Sequence, residues 1–178
     1  MSSKRKAYLA LFVICIAWGV SWVGTKEAVR SMPPLQMVGI RQLIAGLAYV
    51  VFYLFRGNKL PQGKEWYPIL LLSALNFMIS NGLATWGVKL TTAGVSALLG
   101  AMFPLWLAII LSFKGGNRIP LFAWAGILMG FAGVCIVFYD HIAELFDPDF
   151  QIGILMGILA ALAWAFGTIY TKEFAPDF

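Results

Sequence analysis

Ten residues read Trp18-Gly-Val-Ser21-Trp22-Val-Gly24-Thr25-Lys26-Glu27, and 146 positions on the pattern returns as Trp164-Ala-Phe-Gly167-Thr168-Ile-Tyr-Thr171-Lys172-Glu173. Both copies close an apolar stretch of about twenty residues, the length that carries a helix across a bilayer core. Five such stretches can be counted from the start of the first copy to the start of the second. An odd number of crossings makes the second copy enter the membrane from the opposite side. That is the sequence sign of an inverted repeat, an arrangement on which membrane transporters are built. Two repeats of this period would occupy about 290 to 300 residues. The reading therefore assigns residues 1–149 to a first five-helix repeat and 150–178 to the first helix of a second, and expects further helices from a longer chain or a partner.

Composition separates a membrane core from a soluble one. Apolar residues make up 61% of the chain and charged ones 12%, with a mean hydropathy of +0.83. Soluble domains carry about 45–50% and 25%, and a soluble chain of this length could not cover so much apolar surface. The pI near 9.4 does not point to nucleic acid, because the basic residues stand in short clusters between apolar runs, where they set membrane orientation. Cys15 and Cys135 each sit within an apolar run with no second thiol or histidine at metal-ligand spacing. The opening Lys4-Arg5-Lys6 before an apolar run superficially resembles a secretory signal. The run is too long for that and no small-x-small cleavage site follows it, so it reads as a retained first span.

Six segments qualify as spans: Ala7–Thr25, Leu35–Phe55, Trp66–Val88, Thr92–Phe113, Pro120–Tyr139 and Phe150–Tyr170. The expected fold is all-α, a polytopic helix bundle. Turn residues punctuate it at Pro33-Pro34, Gly57-Asn58, Pro61, Gly115-Gly116-Asn117 and Pro120. Only Lys89-Leu-Thr91-Thr92 divides the third span from the fourth, which predicts a tight antiparallel hairpin. With the N-terminus inside, Lys4, Arg5, Lys6, Arg56, Lys59, Lys64, Lys114, Arg118 and Lys172 lie on the cytoplasmic side, and Lys26, Arg30 and Lys89 outside. Nine against three is a positive-inside bias. It predicts an integral protein of the plasma (bacterial inner) membrane with a cytoplasmic N-terminus and an outer loop holding Asp140, Glu144, Asp147 and Asp149.

Polar side chains inside a span usually face other helices or a cavity. In the first span Trp18, Ser21, Trp22 and Thr25 fall at i, i+3, i+4 and i+7, one helical face. The sixth span repeats that face with Trp164, Gly167, Thr168 and Thr171. Two such faces would meet near the midplane, where repeat-built transporters hold substrate; the alternative is an aromatic belt with small-residue packing. The third span is the most polar, with Ser73, Asn76, Ser80, Asn81, Thr85 and Trp86. On α-helical spacing Ser73, Asn76 and Ser80 share a face and Asn81 and Thr85 an adjoining stripe, either as interhelical glue or as substrate contacts. Arg41 is the one formal charge well inside a span, about 9 Å beyond Leu35. It either snorkels outward or serves as the partner of an anionic substrate group. Pro104 should kink the fourth span and free a carbonyl. The spacing of Gly126, Gly130 and Gly133, and of Gly153 and Gly157, predicts close helix packing.

No carboxylate stands at the midplane as a proton carrier. No metal cluster, nucleophile–base pair or glycine-rich phosphate loop appears, so the sequence carries no sign of an enzyme, a metal or a cofactor.

These residues resemble the EamA family of the drug/metabolite transporter superfamily. The resemblance rests on the tryptophan-glycine-serine start of the first span and on Pro34 followed by Arg41-Gln-Leu-Ile-Ala-Gly. It rests further on the run from Lys89 through Gly94, Ser96 and Pro104 to Trp106, and on Trp124-Ala-Gly126-Ile-Leu-Met-Gly130-Phe-Ala-Gly133-Val. What it implies is a ten-helix exporter of two inverted five-helix repeats, its central cavity partly lined by the first, third, fourth and sixth helices. Family substrates include amino acids, their metabolites and other small organic molecules. On that footing the candidate substrate-binding residues are Trp18, Ser21, Trp22, Asn76, Ser80, Asn81, Trp86, Ser96, Pro104, Trp164 and Thr168, with Arg41 as anion partner. The functional expectation is a secondary permease of small polar metabolites working by alternating access; the competing reading is a transport-inactive fragment or membrane scaffold that needs a partner for the remaining helices. The small four-helix members of the superfamily use a carboxylate in their first span, which this first span lacks.

Overall fold

The structure, a computed structural model, describes residues 3–113, 120–139, 141 and 143–174. Lys114, the Gly115-Gly116-Asn117 turn, Arg118 and Asp140 lie outside the described residues. Helix α1 runs Ser3–Ser31 and α2 Pro34–Phe55. Pro34 occupies the first turn of α2, where its missing N–H costs no hydrogen bond. Past α2 the chain turns at Gly57, whose φ of 78° is the left-handed conformation that glycine adopts freely. A short 3-10 turn, Gly63–Glu65, leads into the third span. It is capped by Glu65, whose Oε2 accepts the Gln62 N–H at 2.8 Å.

The third span is one rod in three parts: α3 (Trp66–Leu72), a π-helix (Ser73–Ser80) and α4 (Asn81–Leu90). Bonding i to i+5 widens the turn, so α-helical spacing does not carry across residues 73 to 80. Asn76 and Ser80 face the sixth span, whereas Ser73 lines a different groove, beside α2. The single-face assignment of Ser73 with Asn76 and Ser80 is thereby corrected.

The hairpin into the fourth span is as short as the sequence predicts. Thr91 and Thr92 separate α4 from α5 (Ala93–Ala101), and Thr92 Oγ1 caps α5 by accepting the Val95 N–H at 3.1 Å. The helix breaks at Met102 and resumes as α6 (Phe103–Phe113), two residues ahead of Pro104, where no N–H is available to continue the ladder. Helix α7 covers Leu121–Tyr139. Its 19 residues rise about 28 Å. Another 3-10 turn, Glu144–Phe146, precedes α8 (Pro148–Phe174), which Asp147 caps by accepting the Asp149 N–H at 2.9 Å. Among the described residues there is no strand, and five helices are long and apolar enough to cross a membrane; α7 carries a shorter apolar stretch, Phe122–Val134.

Helix α8 is the centre of the bundle, in contact with α4, the π-helix, α5 and α6. It buries Ala160, Ala161, Ala163, Ala165 and Ile169, while Val95, Leu99 and Phe150 form a small core where α5 meets its start. Glycine permits the approach. A Cβ on Gly153 would lie 2.6 Å from Thr91 Cγ2, and one on Gly87 2.9 Å from the Gly153 carbonyl. Gly153 and Gly157 thus do what their spacing predicts. Gly126, Gly130 and Gly133 of α7 do not: nothing lies within 4 Å of the Cβ each lacks. Helices α1, α2 and α7 expose rows of Leu, Ile, Val and Phe, a surface that suits lipid rather than water.

Candidate functional site

Between α1, α4, α5 and α8 lies a cavity of about 540 Å³. Its walls come from both copies of the motif: Trp18 and Trp22 from α1, and Trp164 from α8. Small residues make the space, among them Ala84, Ala97, Gly100, Gly157 and Ala160. Trp22 is seated by one of them, since a Cβ on Gly100 would fall 2.8 Å from its ring. The polar lining is sparse and consists of Ser80, Asn81 and Ser96. The space is a cleft open on one side, where Trp18 is 61% exposed, and an apolar cleft with a few placed polar groups is a usual form of small-molecule site.

Each polar group is already oriented by the fold. Ser80 Oγ donates to the Ala160 carbonyl at 2.8 Å, across to α8. Ser96 Oγ lies 2.8 Å from Thr91 Oγ1, which itself donates to the Gly87 carbonyl. Asn81 is held at both ends: its Nδ2 donates to the Asn76 carbonyl at 2.7 Å, and its Oδ1 accepts from Arg41 Nη2 at 2.9 Å. Arg41 Nη1 stands 3.5 Å from Thr25 Oγ1. The guanidinium therefore turns inward, half-buried, and does not snorkel. Asn76 presses its amide onto Gly167, where a Cβ would sit 2.0 Å from Oδ1, and that Oδ1 is buried with no hydrogen-bond partner.

The structure brings together Trp18, Trp22, Ser80, Asn81, Ser96 and Trp164 from the predicted set, with Arg41 and Asn76 bonded behind Asn81. It sets others apart. Ser21 Oγ donates to the Trp18 carbonyl and Thr168 Oγ1 to the Trp164 carbonyl, both bonds staying within their own helix. Trp86 is 40% exposed and Pro104 is exposed, and neither lines the cavity. The one histidine, His141, lies in the loop before α8, its Nδ1 3.1 Å from Glu144 Oε2. Sequence reasoning missed the alanine and glycine lining, whose signal lay only in the density of small residues at helical spacing. It also missed Lys26, which reaches the end of α4: its Nζ donates to the Val88 carbonyl at 2.9 Å, the Lys89 carbonyl at 3.1 Å and the Thr91 carbonyl.

The EamA-like transporter family matches over residues 5–139, most of the chain. This protein belongs to that family. It is 35% identical to the uncharacterized transporter YvbV of Bacillus subtilis over 175 residues, which are 96% of this chain and 55% of the relative. It is 31% identical to the uncharacterized inner membrane transporter YedA of Escherichia coli over 162 residues, 90% of this chain and 51% of the relative. A probable amino-acid metabolite efflux pump of Escherichia coli is 26% identical over 176 residues, 96% of this chain and 54% of that one. The chain thus spans about half the length of these relatives. No solved structure matches it.

Proposed function

We propose that this EamA-family chain is the first repeat, residues 1–149, and the opening helix, residues 150–178, of a permease for small polar metabolites such as amino acids or related compounds. The observation that carries the reading is the cavity itself, of about 540 Å³, walled by tryptophans from both motif copies and lined by Asn81, with Arg41 and Asn76 bonded behind that asparagine. Its size suits a metabolite. Asn81 offers an amide to a polar group, Arg41 a counter-charge to an anionic one, and the tryptophans a hydrophobic flank. The relative named as an amino-acid metabolite efflux pump supports the substrate class. The basic-residue bias supports an inner-membrane position with the N-terminus in the cytoplasm. Movement is by rocking of one repeat against the other around the cavity, with no bond made or broken and no cofactor called for.

The test is solute flux in proteoliposomes holding the protein as the cell makes it, offered a mixture of labelled amino acids and related metabolites. Trp18→Ala and Asn81→Ala should each lower flux per folded molecule by roughly tenfold, the factor set by about 1.4 kcal/mol of lost binding. Flux unchanged in folded variants would remove the cavity from the transport path. No flux of any metabolite from folded parent protein would favour a scaffold.

A further inference from the structure

The end of the bundle at which α4 turns into α5 is closed by a lysine. The last carbonyls of a helix have no partner within it, and the negative end of the helix dipole gathers there. Lys26 answers both needs, because its Nζ donates to the carbonyls of Val88, Lys89 and Thr91. The side chain that does this stands in the first Thr-Lys-Glu.

Lys172 stands in the second Thr-Lys-Glu, 146 residues on. Helix α8 begins against the same turn, with Gly153 packed on Leu90 and Thr91, and runs to the opposite end of the bundle. Lys172 therefore emerges far from Lys26. There it is exposed, and among the described residues no acceptor receives its protons.

We infer that Lys172 caps the C-terminal carbonyls of a helix outside these 178 residues, the third helix of a second, inverted five-helix repeat. The inference rests on the two-repeat reading of the proposed function. Inversion carries the pair of motif lysine and third-helix C-terminus from one end of the bundle to the other, which is where Lys172 lies. A second copy of this chain is the poorer occupant, because the α4 terminus it would offer already holds its own Lys26. The relatives, about twice as long, have room for the helix required.

The experiment compares amine reactivity by mass spectrometry with a membrane-permeant lysine reagent, using exposed Lys64 as reference. It is applied to the protein as the cell makes it, in native membranes, and to the purified 178-residue chain. In the native protein Lys26 and Lys172 should both react roughly tenfold more slowly than Lys64, as suits a cation held at a helix C-terminus. In the purified chain Lys26 should stay slow and Lys172 should react like Lys64. Fast Lys172 in native membranes beside slow Lys26 overturns the cap while leaving the two-repeat reading intact. Slow Lys172 in both samples overturns it too, by placing the acceptor within this chain. If the mass and co-purifying chains of the native protein account for no further helices, the two-repeat reading fails and the cap with it. As a second measure, Lys172→Met should lower the melting temperature of the native protein but not of the purified chain, and Lys172→Arg should restore most of the loss.

Discussion

At the scale of single residues, Asn76 meets Gly167 so closely that no side chain fits between them. Gly167 fills the position that Ser21 holds in the other motif copy, and the absent side chain is what admits the asparagine amide. In Gly167→Ala the added methyl would occupy the place of Asn76 Oδ1, at 2.0 Å. The amide must then rotate or α8 must withdraw, at a cost of about 1–3 kcal/mol. Asn76→Ala alone discards an acceptor that is already without a partner, so it should cost less, about 1 kcal/mol. The double variant should recover most of the loss from Gly167→Ala, since the clash needs both side chains. Thermal melting of the four proteins in one detergent checks this, and strictly additive losses would show that the two residues are not coupled. This pairing could not be read from the sequence. Asn76 was legible as a polar residue in a span, but its partner depends on where α8 docks.

Among the helices, the same residue type does opposite things. Gly87 and Gly153 set the spacing of α4 and α8, with the Gly153 carbonyl 2.9 Å from where a Gly87 Cβ would lie. Gly87→Ala should force the helices apart and destabilise by about 1–3 kcal/mol, because backbone cannot move aside as a side chain can. Gly126→Ala should be neutral or slightly stabilising, since its site is open and alanine is the better helix former by roughly 1 kcal/mol. The measurement is the melting temperature of each variant against the parent. Equal losses at both positions would mean that α7 packs more closely than the structure has it. Spacing alone predicts packing at both sets of glycines. It holds for Gly153 and Gly157 because α8 is enclosed on several sides, and fails for α7, whose glycines face outward. The π-helix is a similar case: hydrophobicity along 73–80 is the same for either helix type, and what differs is the hydrogen-bond register.

For the whole molecule, the test is topology. Lys64 precedes α3 and Glu144 precedes α8, and the packing of Gly153 on Thr91 puts those two approaches at opposite ends of the bundle. In a background without Cys15 and Cys135, a cysteine at position 144 should react with an impermeant thiol reagent from outside the cell. One at position 64 should react only after the membrane is opened. The reverse pattern would invert the orientation drawn from the basic residues, and both positions reacting from one side would contradict the bundle itself.

Sequence by itself determined the membrane class, the order and approximate ends of the helices and the family. Each of these follows from local hydrophobicity or from a pattern repeated along one dimension, and neither depends on which helix meets which. Tertiary structure decided the rest: that Arg41 turns inward to Asn81, that Ser80 bonds across to Ala160, that Lys26 closes α4, and that alanines and glycines leave the cavity. The physical reason is that a hydrogen bond between spans, or a void bounded by small side chains, exists only when residues 40 to 80 positions apart are brought within a few ångströms. A helical period says which face a residue lies on. It does not say what that face meets.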